Sequence, residues 1–190
     1  MVETEVREIL VVDDHPILRE GIVHLLEEED DLTVCGKCGS AGEALSIIET
    51  VNPDLVLTDL TLPGKSGIEL IKDLQALRPE LPVLVMSMHD ELVYAERVFR
   101  AGGRGYVMKE AGSEEIVVAI RRVIEGSVYA SQSVSNHFLD SLATKPNARK
   151  SSFPIDRLTD RELEVFERIG KGENTTEIAD SLNISPRTID

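Results

Sequence analysis

Tryptophan is absent, and four Phe and three Tyr are the whole aromatic complement of the 190 residues. The 42% hydrophobic content is therefore carried by aliphatic side chains, at a level ordinary for a globular chain with a real core. No apolar run approaches the length needed to cross a bilayer. The opening "MVETEVRE" lacks the basic-then-apolar layout of a signal peptide, so the expected compartment is the cytoplasm. Cysteine occurs only in "CGKC", Cys35 to Cys38. A zinc site would need a second pair, and a redox dithiol would need a helix start where this run reads as a strand entering a turn. Two reduced, structural thiols are expected.

Positive charge is also scarce. Residues 1–130 carry 12 basic against 25 acidic side chains, residues 131–150 carry 3 against 1, and residues 151–190 carry 5 against 9. A surface this acidic repels nucleic acid in bulk, so any DNA contact has to come from a small local face.

Five short apolar runs stand out: "EILVV" (8–12), "LTVCG" (32–36), "LVLTD" (55–59), "PVLVMS" (82–87) and "GYVM" (105–108). Their shortness, mostly β-branched content and flanking turn residues predict buried strands. Amphipathic stretches separate them. "HPILREGIVHLLEE" is read as a helix with Ile17, Leu18, Ile22, Leu25 and Leu26 on one face. Strand–helix alternation repeated five times predicts a parallel sheet with helices on both faces and right-handed connections.

After Gly126 the composition turns to Ser and small residues, with one short helix expected at 133–142 and a flexible linker over 143–154. Strong helix punctuation then resumes. Thr159 and Glu162 form a capping box, Leu163, Phe166 and Ile169 supply an apolar face, and Gly172 suits a C-terminal stop. Asn174 and Glu177 open a second helix carrying Ile178, Ala179 and Leu182. Asn183 suits a left-handed turn, and Ser185 with Pro186 starts a third helix. Helix, tight turn, helix is the layout of a helix-turn-helix module, with Leu163, Phe166, Ile178 and Leu182 as its core.

The chemistry gathers at the strand ends, where open parallel sheets place their sites. The first strand ends in Asp13–Asp14, the third in Asp59, the fourth in Ser87 and the fifth in Lys109. If the first and third strands are neighbours, three carboxylates share one pocket and repel unless a cation joins them. Oxygen-only donors favour a hard ion, Mg²⁺ or Mn²⁺. A carboxylate, a hard cation, a hydroxyl and a Lys together suit phosphoryl transfer, with Asp59 as the nucleophile that becomes an aspartyl phosphate. Bland readings compete residue by residue: Asp13 or Asp14 as a helix cap, Lys109 as a surface cation, Tyr106 as plain packing. His15, His24 and His89 form no ligand cluster by spacing and read as surface or packing residues, with His89 beside the site as a possible tuning group. The glycines of "AGGRG" (101–105) precede a strand and read as a turn.

"VVDDHP", "LTDLTLPGKSG", "VLVMSMHD" and "GYVMKE" resemble the signature segments of a two-component receiver domain, over about residues 7–128. "LTDRELEVFERIGKGENTTEIADSLNISPRTID" resembles the start of a LuxR-type DNA-binding domain. Together they resemble a NarL/FixJ-type response regulator.

The resemblance implies a flavodoxin-like receiver of strand order 2-1-3-4-5 at residues 1–128. A linker at 129–155 and a partial LuxR-type helix-turn-helix at 156–190 would follow. It implies Asp59 as phosphoacceptor, with Asp13, Asp14, Asp59 and the Thr61 backbone carbonyl at the metal. Ser87 is the implied switch hydroxyl, Lys109 the phosphate-binding lysine and Tyr106 the aromatic that changes rotamer. Pro63 and Gly67 match the turn after the acceptor. Met88 departs from the family pattern, which has a small residue there, and is expected to narrow access to the phosphoryl group.

The implied partners are a sensor histidine kinase, DNA through the complete C-terminal domain, and a second copy in a phosphorylation-dependent homodimer; no membrane partner is implied. Arg187 and Thr188, in the first turn of the reading helix, are candidate DNA contacts. The sequence stops at Asp190, so specific DNA binding is not expected of this tail alone. Two other readings compete. A phosphatase of the haloacid dehalogenase type needs a second Asp where Thr61 stands, and also a cap domain. An inert interaction module would not label at Asp59.

Overall fold

The computed structural model describes residues 5–143, 158–182 and 184–189. The chain forms two compact units, divided between Ser131 and Gln132.

The first unit alternates strand and helix: β1 (Arg7–Val12), α1 (Pro16–Glu27), β2 (Leu32–Cys38), α2 (Ala41–Ile48), β3 (Leu55–Thr58), α3 (Gly67–Leu77), β4 (Val83–Ser87), α4 (Glu91–Ala101), β5 (Gly105–Met108) and α5 (Ser113–Ile124). The five strands form one parallel sheet in the order β2-β1-β3-β4-β5. Every residue of β3 and β4 is buried, which is why those runs read as continuously apolar: helices cover both faces. On one face Ile9, Val11, Leu57, Leu84 and Met86 pack with Leu26 and Ile120.

Backbone pairing continues past the ends of the strands. The Asp13 amide donates to the Cys38 carbonyl at 3.1 Å, that of Asp59 to Val12 at 2.9 Å, and that of Lys109 to Ser87 at 2.9 Å. The ladder thus fixes Asp13, Asp59 and Lys109 as well as the strands, and does so at one end of the sheet.

The register of α1 differs from the sequence expectation. Ile22, Val23 and Leu26 are buried and Leu18 and Leu25 pack against the core, but Ile17 is 91% exposed. Nine residues separate Ile17 from Leu26, half a rotation at 3.6 residues per turn, so Ile17 faces away. Neither Asp13 nor Asp14 is the N-cap residue of α1. That position is His15, which caps through backbone geometry alone, with Pro16 following.

Cys35 and Cys38 lie within β2 and are free thiols. Burial pushes the Cys38 thiol up to about 11 and raises that of Cys35, which leaves both protonated and unreactive.

The second unit holds α6 (Gln132–Ala143), α7 (Asp160–Gly170), α8 (Thr175–Leu182) and a single 3₁₀ turn at Pro186–Thr188. Thr159 and Glu162 cap α7 reciprocally. Asn174 and Glu177 do the same for α8: Glu177 N–H donates to Asn174 Oδ1, and Asn174 N–H donates to Glu177 Oε2. Gly172 takes φ +84, which a side chain resists. Leu163, Ile178, Ala179 and Leu182 are buried, as expected of a helix-turn-helix core. Phe166 and Ile169 are not: they are 54% and 55% exposed. Each step of three residues rotates the side chain a further 60° or so from Leu163, away from α8. The short helix expected at 133–142 is α6, while the expected linker from residue 144 onward, and Asn183, lie outside the described residues.

These placements separate two apolar residues of α1. Ile17→Gln is expected to change unfolding free energy by no more than about 0.5 kcal/mol, and Leu26→Ala to cost roughly 2–5 kcal/mol. Urea unfolding of the two variants distinguishes them, and equal losses would refute this register.

Candidate functional site

The loop that follows β3 is shaped by two residues beyond Asp59 itself. Ser66 caps α3 in a reciprocal box with Glu69, and Gly67 opens the helix. The Gly67 amide donates to the Leu60 carbonyl at 2.8 Å. A Cβ on Gly67 would lie 2.1 Å from the Asp59 carbonyl oxygen and 2.9 Å from Leu60 Cα, so the backbone of α3 approaches Asp59 as closely as only glycine allows. The loop is thereby folded back against the residue it follows.

Asp13 and Asp59 are almost completely buried, at 1% and 4% exposure, and Lys109 lies between them. Its Nζ stands 2.7 Å from Oδ2 of each carboxylate and donates a hydrogen bond to that of Asp59. Oδ1 of Asp59 accepts from the Leu60 amide at 2.6 Å, and Oδ1 of Asp13 from the His15 amide at 2.8 Å. Lys109 is therefore not a surface cation. Asp14 is one-third exposed at the rim.

Carboxylate oxygens of Asp13, Asp14 and Asp59 and a ring nitrogen of His15 all lie within 4.8 Å of one another. Sequence spacing among histidines had set His15 aside, but its adjacency to the acidic pair was the informative signal. Its Nδ1 is 2.7 Å from Asp14 Oδ1. Three carboxylates facing one ammonium leave an excess of negative charge, so this pocket can hold a metal ion.

The β4 end supplies a second group of contacts. Ser87 is wholly buried, and its Oγ accepts from the His89 amide at 3.2 Å. Tyr106, 1% exposed, donates its hydroxyl to the His89 carbonyl at 2.8 Å. It is a core residue whose polar end meets the loop beside the pocket. The His89 ring reaches Thr61 Oγ1 at 2.9 Å and lies against the ring of Tyr94, centroids 4.9 Å apart. That link between the loops after β3 and β4 has no signal in the sequence. Met88 is 65% exposed. In the second unit, Arg187 and Thr188 are exposed on the 3₁₀ turn, the described form of the helix start expected there.

Residues 9–121 match the response regulator receiver domain family, and residues 156–190 match the bacterial regulatory proteins of the luxR family. The chain belongs to the LuxR-type (NarL/FixJ) response regulators. It is 34% identical over 181 residues to the response regulator GacA of Pseudomonas aeruginosa, spanning 95% of this chain and 83% of that one. Among solved structures, a LuxR-family two-component response regulator from Aurantimonas sp. superposes with a TM-score of 0.69 at 33% identity, over 74% of this chain and all of that one. A structure of two RcsB dimers bound to two parallel DNAs gives 0.66 at 26% identity, over 97% of this chain and 87% of that one. The chain is thus a transcriptional response regulator and not a conventional enzyme, which sets aside the phosphatase. Among the described residues no helix is long and apolar enough to cross a membrane.

The electrostatics suit a regulator whose pocket waits for charge. Burial raises the Asp59 carboxyl above the ordinary value of 3.8; Lys109 opposes this and Asp13 adds to it. Burial also works against the Lys109 ammonium, but the carboxylates of Asp59 and Asp13 outweigh it and the net shift is upward. Burial raises the Tyr106 hydroxyl as well, keeping it a donor.

For Asp59 the sign is clear. A carboxyl raised in the folded state supports folding below its unfolded value, and that support is lost as pH rises through the folded value. At pH above its ordinary value the raised Asp59 carboxyl weakens folding of the metal-free wild type. Asp59→Asn is therefore expected to melt at a higher temperature than wild type at pH 7 without divalent ions. The gap should shrink as pH falls toward 4, and on adding Mg²⁺. Thermal melts with chelator or Mg²⁺ measure it; a variant that melts lower throughout would overturn this account.

Proposed function

We propose that the regulator is switched by phosphorylation of Asp59, with a sensor histidine kinase as donor. The observation that carries this reading is the Asp13–Lys109–Asp59 arrangement, with an ammonium 2.7 Å from both buried carboxylates. In the reaction an Asp59 oxygen attacks phosphorus, the bond from phosphorus to the donor's imidazole nitrogen breaks, and the imidazole leaves and takes up a proton. Lys109 stays beside the new phosphoryl group as its counter-charge.

Asp13, Asp14, Asp59 and the Thr61 carbonyl would hold Mg²⁺ or Mn²⁺. The oxygen-rich donor set and the excess negative charge fit such an ion. When bound, the ion neutralises charge on the transferred group. His15 lies close enough to orient Asp14 through its ring nitrogen.

Ser87 then turns its hydroxyl toward the phosphoryl oxygens, giving up its contact with the His89 amide. The inward rotamer of Tyr106 is thereby favoured, because its hydroxyl is bonded to the same loop. The two arrangements form a population shift. The output is a homodimer acting on DNA through the complete C-terminal domain, in which Arg187 and Thr188 are placed to touch DNA. The DNA-bound dimers of the RcsB relative support this output. The site of action is the cytoplasm, where a kinase and DNA are both within reach.

Acetyl phosphate with Mg²⁺ is expected to add one phosphoryl group to the wild type and none to Asp59→Asn, read by intact-protein mass. Equal labelling of both removes Asp59 as acceptor. Met88 follows the switch hydroxyl and is 65% exposed; in this reading its bulk narrows the approach of attacking water to the phosphoryl group. Met88→Ala is expected to lose its phosphoryl group several-fold faster than wild type, measured by decay of labelled protein. Unchanged decay rules out a gate at Met88.

A further inference from the structure

The segment after α5 does not simply leave the first unit. Tyr129 forms a parallel bridge with Gly105, at the edge of the sheet. Its amide donates to the Arg104 carbonyl at 3.0 Å, and its carbonyl accepts from the Tyr106 amide at 3.1 Å. β5 is an edge strand by topology, and this short piece of chain covers that edge. The Tyr129 side chain belongs to the core, 8% exposed, and Gly105 admits it closely: a Cβ there would meet Tyr129 Cβ at 3.2 Å.

Two side chains fasten the segment further. Tyr129 donates its hydroxyl to Glu115 Oε1 on α5 at 2.7 Å. Ser131 donates to Glu91 Oε1, at the first residue of α4, also at 2.7 Å.

The fastenings fall on particular elements. Tyr106 carries one backbone bond to Tyr129, and its hydroxyl bonds the His89 carbonyl beside the pocket. Glu91 begins α4 two residues after His89. The segment is thus attached to the strand that bears Tyr106 and to the helix that starts where the Ser87–His89 loop ends. Its last residue, Ser131, is where the first unit ends and the chain passes to the second.

We infer that residues 127–131 are an edge strap that passes the state of the Asp59 pocket to the chain that follows, with Tyr129 as its positioning residue. Tyr129 touches no reacting atom. It acts by holding the backbone at Tyr106, so a shift of β5 or of the start of α4 reaches the strap through bonds already made. This rests on the proposed reading of Asp59 and Tyr106. Tyr106 stands buried and bonded to the loop, with the strap paired to it. Phosphorylation, by favouring the inward Tyr106, raises the population of the paired strap.

The test is amide hydrogen exchange on the full chain, with and without acetyl phosphate and Mg²⁺, alongside mass measurement of labelling in the same samples. Wild type and a Tyr129→Phe/Ser131→Ala double variant are compared; the variant removes both side-chain anchors and leaves the pocket untouched. On phosphorylation, the wild-type Tyr106 and Tyr129 amides are expected to slow together by at least about tenfold, a local stabilisation of about 1.4 kcal/mol. The double variant is expected to label to the same extent, to slow at Tyr106, and to slow much less at Tyr129. A wild type that labels and slows at Tyr106 alone overturns the strap and leaves the Asp59 reading intact. A double variant whose Tyr129 slows as fully as wild type removes the two anchors from the proposal. A wild type that takes up no phosphoryl group overturns the reading of the site, and the strap with it.

Discussion

One ammonium between two buried carboxylates governs this receiver. Asp13 and Asp59 come from neighbouring strands whose pairing is extended by one residue, so their separation is fixed by the β-ladder and not by side-chain choice. Burying two carboxylates together is costly without a cation beside them. Lys109 meets that need from β5, across the intervening β4, at 2.7 Å from each. It compensates for only part of the charge, since Asp14 brings a third carboxylate. The pocket is therefore poised: held together by one pair of contacts, yet still attractive to a further cation. A phosphoryl group on Asp59 would add negative charge where the ammonium already sits.

The strand ends were legible because two independent signals coincided there. Short apolar runs marked the strands, and each run closed on a residue type that is expensive to bury. That coincidence puts Asp13, Asp59, Ser87 and Lys109 at one end of the sheet from the sequence alone. It worked less well on helices. Ile17 and Phe166 were assigned to apolar faces by proximity to true core residues, but helical rotation carries both outward. Periodicity tells how many faces are apolar more securely than which residue sits at the margin of one.

Contacts made by single residues across loops were beyond the sequence. His15 beside the carboxylates, the Thr61–His89 link and the bridge at Tyr129 each depend on where two loops end in space. One bridging residue has no period, and Tyr129 stood in a stretch whose Ser-rich composition read as the beginning of a linker. The acidic balance, by contrast, was informative at once. With the first 130 residues so negative, DNA contact has to be confined to the second unit, and the exposed Arg187 is on that unit.

Close packing also limits how this receiver can move. Gly67 lets the α3 backbone approach Asp59 so nearly that even a methyl group would collide, and Tyr106 is enclosed on all sides. Interiors of this kind do not deform by small degrees; they exchange between discrete packings. The Asp59 backbone is thereby fixed against α3, so a group added to its side chain cannot be accommodated by shifting that backbone. In the proposed switch the response runs through Ser87 and the loop to His89, and from there to the residues bonded to it. Tyr106 is bonded to that loop through its hydroxyl and to the chain leaving the receiver through its amide. With the backbone at Gly67 held, that proposed switch is left to the side chains at the β4 end.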